Sequence, residues 1–182
     1  MYILLQISLA FFKMSHKFLV VFFAIFLQGI LYAQSNYKNT IKYIDVNGTE
    51  EQYSNAIEQL YSLLKQQYSN KEVANSKWQA VKDLRIEAIG DIKQRLVPAY
   101  ESYFSEKEIN EMYDFYLTDA GKQMAINRNE LSKKELKQVQ AFYNTATGLK
   151  IQENAEALGK TISDISTEWS HLLYVEAKNI LE

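Results

Sequence analysis

The stretch that decides the fold is Phe104–Leu131, FSEKEINEMYDFYLTDAGKQMAINRNEL, which runs directly into Leu131–Leu158, LSKKELKQVQAFYNTATGLKIQENAEAL. The two align without gaps at an offset of 27 residues. Ser105 falls on Ser132, Glu108 on Glu135, Phe115-Tyr116 on Phe142-Tyr143, Thr118 on Thr145 and Gly121 on Gly148. Each identity has a physical reading. A serine followed three residues later by glutamate is a capping box, in which side chain and backbone satisfy each other's orphan groups at a helix start. The residue before each box (Phe104, Leu131) and the residue just after its glutamate (Ile109, Leu136) are apolar, which is the pattern of a hydrophobic staple. Thr118 and Thr145 sit where the first helix of each unit ends, and are placed to cap the second. Gly121 and Gly148 follow three residues later. Glycine inside a helix costs about 1 kcal/mol relative to alanine, so two of them at matching places predict a close backbone approach between neighbouring helices. The reading is a helix–turn–helix unit used twice, over 104–131 and 131–158.

Working outward, no break signal other than Gly148 and Gly159 follows Ala146. Ile151, Ala155, Leu158, Ile162, Ile165, Trp169 and Leu172 alternate spacings of four and three, a coiled-coil-type seam. This predicts one long C-terminal helix, packed lengthwise on its neighbours or projecting to pair with a second copy. Upstream, Trp78, Val81, Leu84, Ala88, Ile92 and Leu96 form one helical face, with Ser76-Lys77-Trp78-Gln79 read as its capping box. Pro98 is expected to kink or end that helix, because it lacks a backbone donor and crowds the preceding turn. Tyr53, Ile57, Leu60, Leu64 and Tyr68 form another face, with Thr49-Glu50-Glu51-Gln52 as its box. A short helix over about 38–46 carries Ile41 and Ile44 inward, and Asn47-Gly48 stops it. Asn47-Gly48-Thr49 also matches a glycosylation sequon, but turn and cap account for it. The expected fold class is all-α: a helical bundle with a twice-used helix–turn–helix unit and a long C-terminal helix.

The N-terminus reads as an export signal. Ser15-His16-Lys17 is a short cationic start, Phe18–Leu27 is unbroken apolar sequence, and Ala33 precedes the polar Gln34, so cleavage is expected between Ala33 and Gln34. Translation is expected to start at Met14. The competing reading is an anchor: residues 1–31 are apolar enough to span a bilayer, which takes about 20 residues. The expected organisation is a signal peptide over 1–33, a lead-in and short helix over 34–48, and one helical domain over 49–182. The mature product is expected in the periplasm or secreted. Retention would place it in the inner membrane, the only membrane contact foreseen.

Removal of 33 of the 182 residues leaves 149, with 18 basic and 22 acidic side chains, a net charge of −4. A mildly acidic domain is poorly suited to neutralising nucleic-acid phosphates. The chain has no cysteine, which excludes thiol chemistry and disulfides. His171 is the one histidine after Ala33. A Ser–His–Asp arrangement would have to use it, and zinc sites of the usual types need several His or Cys ligands. Glu106, Glu108, Glu111 and Asp114 cluster on one helix, where solvation and Lys107 explain them. No phosphate-binding or dinucleotide glycine motif is present. The residues support no enzyme, cofactor or metal.

Val97-Pro98-x-Tyr100, then Phe104-Ser105-x-x-Glu108, then Phe115-Tyr116-x-Thr118-x-x-Gly121-Lys122 resembles the signature of exported bacterial proteins grouped as domain of unknown function 2059. The resemblance covers roughly residues 75–160. It implies a signal peptide and a helical domain, and no established activity. Asp119 stands where the family typically has proline, and suits the first turn of a helix equally. The signature consists of caps, aromatics and a glycine, so it implies a fold more than a chemistry. The functional expectation is therefore an exported, non-catalytic module that binds a protein partner or itself. The alternative is a carrier of a small apolar ligand or peptide in an aromatic groove bearing Tyr116 and Tyr143. An unrecognised hydrolase is the remote third.

Overall fold

The structure, a computed structural model, describes residues 36–182; the expected export signal, with its junction at Ala33 and Gln34, lies outside them. Every regular element among the described residues is helical. We number these α1 (36–46), α2 (Thr49–Gln67), α3 (Asn75–Tyr103), α4 (Glu106–Leu117), α5 (Asp119–Asn127), α6 (Lys133–Tyr143) and α7 (Ala146–Leu181), with a 3₁₀ turn at Arg128–Glu130 between α5 and α6. The compact unit runs from Lys38 to Glu182, so α1 is part of the same core as the rest. Its Tyr43 and Ile44 are buried, Ile44 completely.

α1 stops at Asn47-Gly48. Gly48 takes a left-handed conformation, φ 88°, which a side chain would strain. The start of α2 departs from expectation. Thr49 is the first helical residue rather than the cap, and no side-chain capping box forms there. Instead Asn47 Oδ1 accepts from the Thr49 amide at 3.0 Å and from its hydroxyl at 2.6 Å, bridging the glycine turn. The expected box at Ser76 fails similarly. α3 begins one residue earlier, at Asn75, behind the extended Ala74, whose carbonyl takes the Lys77 amide. At α2 the amide that a Thr49 cap would have received, that of Gln52, already donates to the Gly48 carbonyl at 3.1 Å.

Pro98 does not end α3, which runs five residues further to Tyr103. A proline inside a helix costs about 3 kcal/mol. Its flanks offset that by burial: Leu96, Val97, Ala99 and Tyr100 are all in the core. The predicted faces of α2 and α3 point inward, with Tyr53, Ile57, Leu64 and Tyr68 from one and Trp78, Val81, Ala88, Ile92 and Leu96 from the other buried.

α7 is a single 36-residue helix, about 54 Å long at 1.5 Å per residue. It packs lengthwise along α3, and its first turns also meet α6. Of the predicted seam, Trp169 is buried and Ile151, Leu158, Ile162 and Ile165 are half-buried against the core, while Ala155 is exposed; beyond Trp169 the inward positions drift. Leu172 is 46% exposed, while Leu173, Ala177 and Leu181 are buried. A straight helix of 3.6 residues per turn rotates slowly against a 3.5-residue repeat, so the inward positions pass to a spacing of four. The core has a main cluster around Ile44, Ile92, Ile109 and Trp169, and a second around Leu64, Trp78 and Leu181. A smaller one gathers Phe115, Ala120 and Val139.

Candidate functional site

The two matching corners, α4–α5 and α6–α7, are built alike. Ser105 and Ser132 each accept the amide three residues on, while Glu108 and Glu135 each accept the serine amide at 2.7 Å, so both capping boxes are complete. Thr118 donates its hydroxyl to the Phe115 carbonyl at 2.7 Å and accepts the Gly121 amide at 3.1 Å. Thr145 does the same between Phe142 and Gly148, at the same two distances. Each threonine thereby closes one helix and opens the next. The glycines are then required by space. A Cβ on Gly121 would lie 2.6 Å from Tyr116 Cα and closer still to the Phe115 carbonyl oxygen. One on Gly148 would meet the Phe142 carbonyl oxygen and Tyr143 Cα equally tightly. The staples differ: Phe104 and Ile109 are buried, whereas Leu136 is 44% exposed.

The carboxylates at the first corner act as structural links. Glu108 also receives Lys150 of α7 at 2.7 Å. Burial alone would raise its pKa, but Lys150 and the Ser105 amide and hydroxyl hold it below the ordinary glutamate range. Glu111 binds Lys107 and the buried Thr147, and is likewise lowered. Glu106 accepts from Asn39, and Asp114 faces solvent.

The aromatic residues of the signature pack on each other. Phe115 and Phe142 stack face to face, centroids 4.1 Å apart, joining the two corners. Tyr43 meets Tyr100 and Tyr116 edge-on at 5.2 and 5.8 Å. Burial raises the pKa of Tyr43, Tyr100, Tyr116 and Tyr143, so these phenols stay neutral at ordinary pH. His171 is exposed on α7. Among the described residues no three His, Cys, Asp or Glu side chains gather as a metal site would require.

Two clefts share Leu84 of α3 and Leu173 of α7, and two more open hollows lie where α1 and α2 meet α5 and along α2. The first, about 220 Å³, opens between α2 and α3 over α7. Its walls are Ile57, Leu60, Val81, Leu84, Leu173 and Ala177, with Tyr61 at one side. Its rim carries Lys82, Arg85 and Glu58. Arg85 and Glu58 stand 3.6 Å apart, both largely in water. Tyr61 is braced edge-on against Trp78 at 5.6 Å. Lys65 lies over Trp78, 3.8 Å from the ring centre, and Lys82 over Tyr61 at 5.2 Å. The second cleft, about 230 Å³, has Trp169 and Leu172 within it and Glu87, Asp91 and Glu176 around it. Arg95 reaches into this carboxylate group, bonding Asp91 at 2.7 Å and approaching Glu168 at 3.5 Å. Trp169 is fixed by a hydrogen bond from its indole nitrogen to the Ala88 carbonyl, 3.1 Å.

The sequence named Val81 and Leu84 as an inward face, but gave no reason to single out Tyr61, Lys82 or Arg85. On their own helices these read as solvated positions. The only trace was a Tyr and two Lys at spacings that bring cations onto rings once α2 and α3 pair.

Among the described residues, no helix is long and apolar enough to cross a membrane. Comparison with curated proteins and with solved structures gave no match. The stretch with the doubly bonded Thr118, the crowded Gly121 and the complete box at Ser105 is the part of the chain with known relatives: residues 90–132 match the family described as an uncharacterized protein conserved in bacteria (DUF2059).

Proposed function

We propose that this chain is an exported, non-catalytic helical module that engages a protein partner through the cleft between α2, α3 and α7. The observation that carries the reading is the cleft itself. It is a concave apolar surface walled by a braced tyrosine, whereas the signature aromatics Tyr100, Phe115, Tyr116, Phe142 and Tyr143 pack against other rings. Binding sites of this kind combine an apolar lining with a few placed polar groups. Export rests on the cationic start, apolar run and Ala33-Gln34 junction of the sequence. The corner carrying the family signature supports the scaffold rather than a reaction, since its polar groups are consumed by caps.

A photo-crosslinking amino acid placed at Lys82, on the rim, tests this in the host cell. The same group at Glu156, exposed on α7, is the control. The reading requires a discrete protein adduct from position 82 and none from 156. Its mass tells a foreign partner from a second copy. Absence of any adduct at 82 sinks the reading.

A glycoside hydrolase would need acidic groups divided between two roles across a substrate. In the second cleft Arg95 binds Asp91 and approaches Glu168, which favours a structural use of those carboxylates.

A further inference from the structure

We infer that the α2–α3–α7 cleft takes a peptide end, receiving one apolar C-terminal side chain while its rim cations receive the α-carboxylate. This rests on the reading of the cleft as a protein-binding site and names what it binds. Size is the first argument. The cleft holds about 220 Å³, and a cavity of roughly 150 Å³ suffices for benzene. One phenylalanine- or leucine-sized group fills that volume.

Charge is the second argument. The chain after Ala33 is net acidic, yet this rim reverses that sign. Lys82 and Arg85 stand over it, with Lys65 behind Tyr61. Lys82 leans on the tyrosine ring at 5.2 Å. Arg85 faces Glu58 at 3.6 Å, beyond hydrogen-bond reach, so its guanidinium retains donors for an incoming carboxylate.

Spacing is the third. Lys82 and Arg85 each follow directly in the chain on a wall residue, Val81 and Leu84. Because both cations also line the cleft itself, a negative charge bound by them lies beside the bound apolar group. A C-terminal residue meets that condition by construction, because its carboxylate and side chain leave the same carbon. Capture of a terminal carboxylate beside a side-chain pocket is an established mode of peptide recognition.

The test uses ¹⁵N-labelled protein and three probes. These are the acetylated peptide Gly-Ser-Gly-Phe with a free carboxylate, the same peptide amidated, and sodium octanoate. The free-acid peptide should shift the amide resonances of Tyr61, Leu84 and Leu173, and the amide should bind roughly fivefold more weakly, the scale of one or two solvent-exposed ion pairs. The double variant Lys82→Glu, Arg85→Glu, with its helical circular dichroism retained, should erase that preference. Equal binding of acid and amide, or shifts confined to other surfaces, overturns the inference. Octanoate binding as tightly as the peptide also overturns it, in favour of a small-acid carrier. If the position-82 crosslink forms while no probe touches the cleft, the peptide-end inference fails and the protein-binding reading survives. If neither occurs, both fail.

Discussion

Replacing Gly121 by alanine should destabilise the protein even though alanine is the better helix former. In an open helix the exchange gains about 1 kcal/mol. At Gly121 the added methyl has nowhere to go. It would sit 2.6 Å from Tyr116 Cα and 2.8 Å from the Phe115 carbonyl carbon, both main-chain atoms that cannot swing aside. Relief requires prising α5 away from the end of α4, which disturbs the Thr118 bonds to Phe115 and Gly121. Overpacking of this sort costs about 1–3 kcal/mol, and loss of a cap about 1 kcal/mol more. Set against the propensity gain, the net loss is about 1–3 kcal/mol. For a domain of this size that lowers the melting temperature by roughly 3–10 °C. Two other glycines are the internal control. Gly90 and Gly159 also lie within helices, but a methyl on either meets nothing within 4 Å. Gly90→Ala and Gly159→Ala should each raise stability by about 0.5–1 kcal/mol. Urea unfolding of the four single variants, including Gly148→Ala, measures all of this in one series. A Gly121→Ala midpoint at or above the parent's would refute the close-approach argument.

Ile44→Ala should cost about 2–4 kcal/mol in the same assay, because Ile44 is completely buried; a neutral result would mean that α1 is only a lead-in. Ser105→Ala should lose about 1 kcal/mol with the capping box, and more than Ser132→Ala, whose Glu135 has no cross-helix lysine among the described residues; equal losses would show that the Lys150 link adds nothing. The glutamates at these caps set an acid limit. Glu108 and Glu111 have folded pKa values below the ordinary 4.5, so their contribution is complete above that pH and is lost as pH falls through the lowered values. Stability measured from pH 6 down to 2 should therefore drop below about pH 4.5, and the drop should be shallower in Glu108→Gln; parallel curves would remove Glu108 from the account.

The parts of the fold legible in the sequence were those fixed by local chemistry. Ser105 with Glu108, and Thr118 with Gly121, interact within four residues, so the pattern contains the whole interaction. The same local reading misplaced the starts of α2 and α3. There the decisive groups were Asn47, outside the four-residue box, and Ala74, which has no capping side chain at all. Pro98 was expected to kink or end α3, and the helix does not end there because the compensating burial of Val97, Ala99 and Tyr100 comes from distant helices. The late seam of α7 was wrong by one position, since a phase error of about 20° per heptad accumulates over a helix this long. The cleft was least visible. It combines Tyr61, Arg85 and Leu173 from three helices, and Lys82 and Arg85 of α3 become its rim only when α2 and α3 stand side by side.

The second core cluster has a consequence for how the chain comes into being. Leu64, Trp78 and Val81 find their cover in Ala177 and Leu181, more than ninety positions later. As the chain is made, α2 and α3 are complete at Tyr103, and that apolar face stays bare until the last residues follow. Contacts so distant in sequence form late, and the cleft floor contributed by Leu173 arrives with them. An unfinished chain would therefore present an open helical hairpin rather than a finished domain, and the cleft would not exist until the last helix had docked.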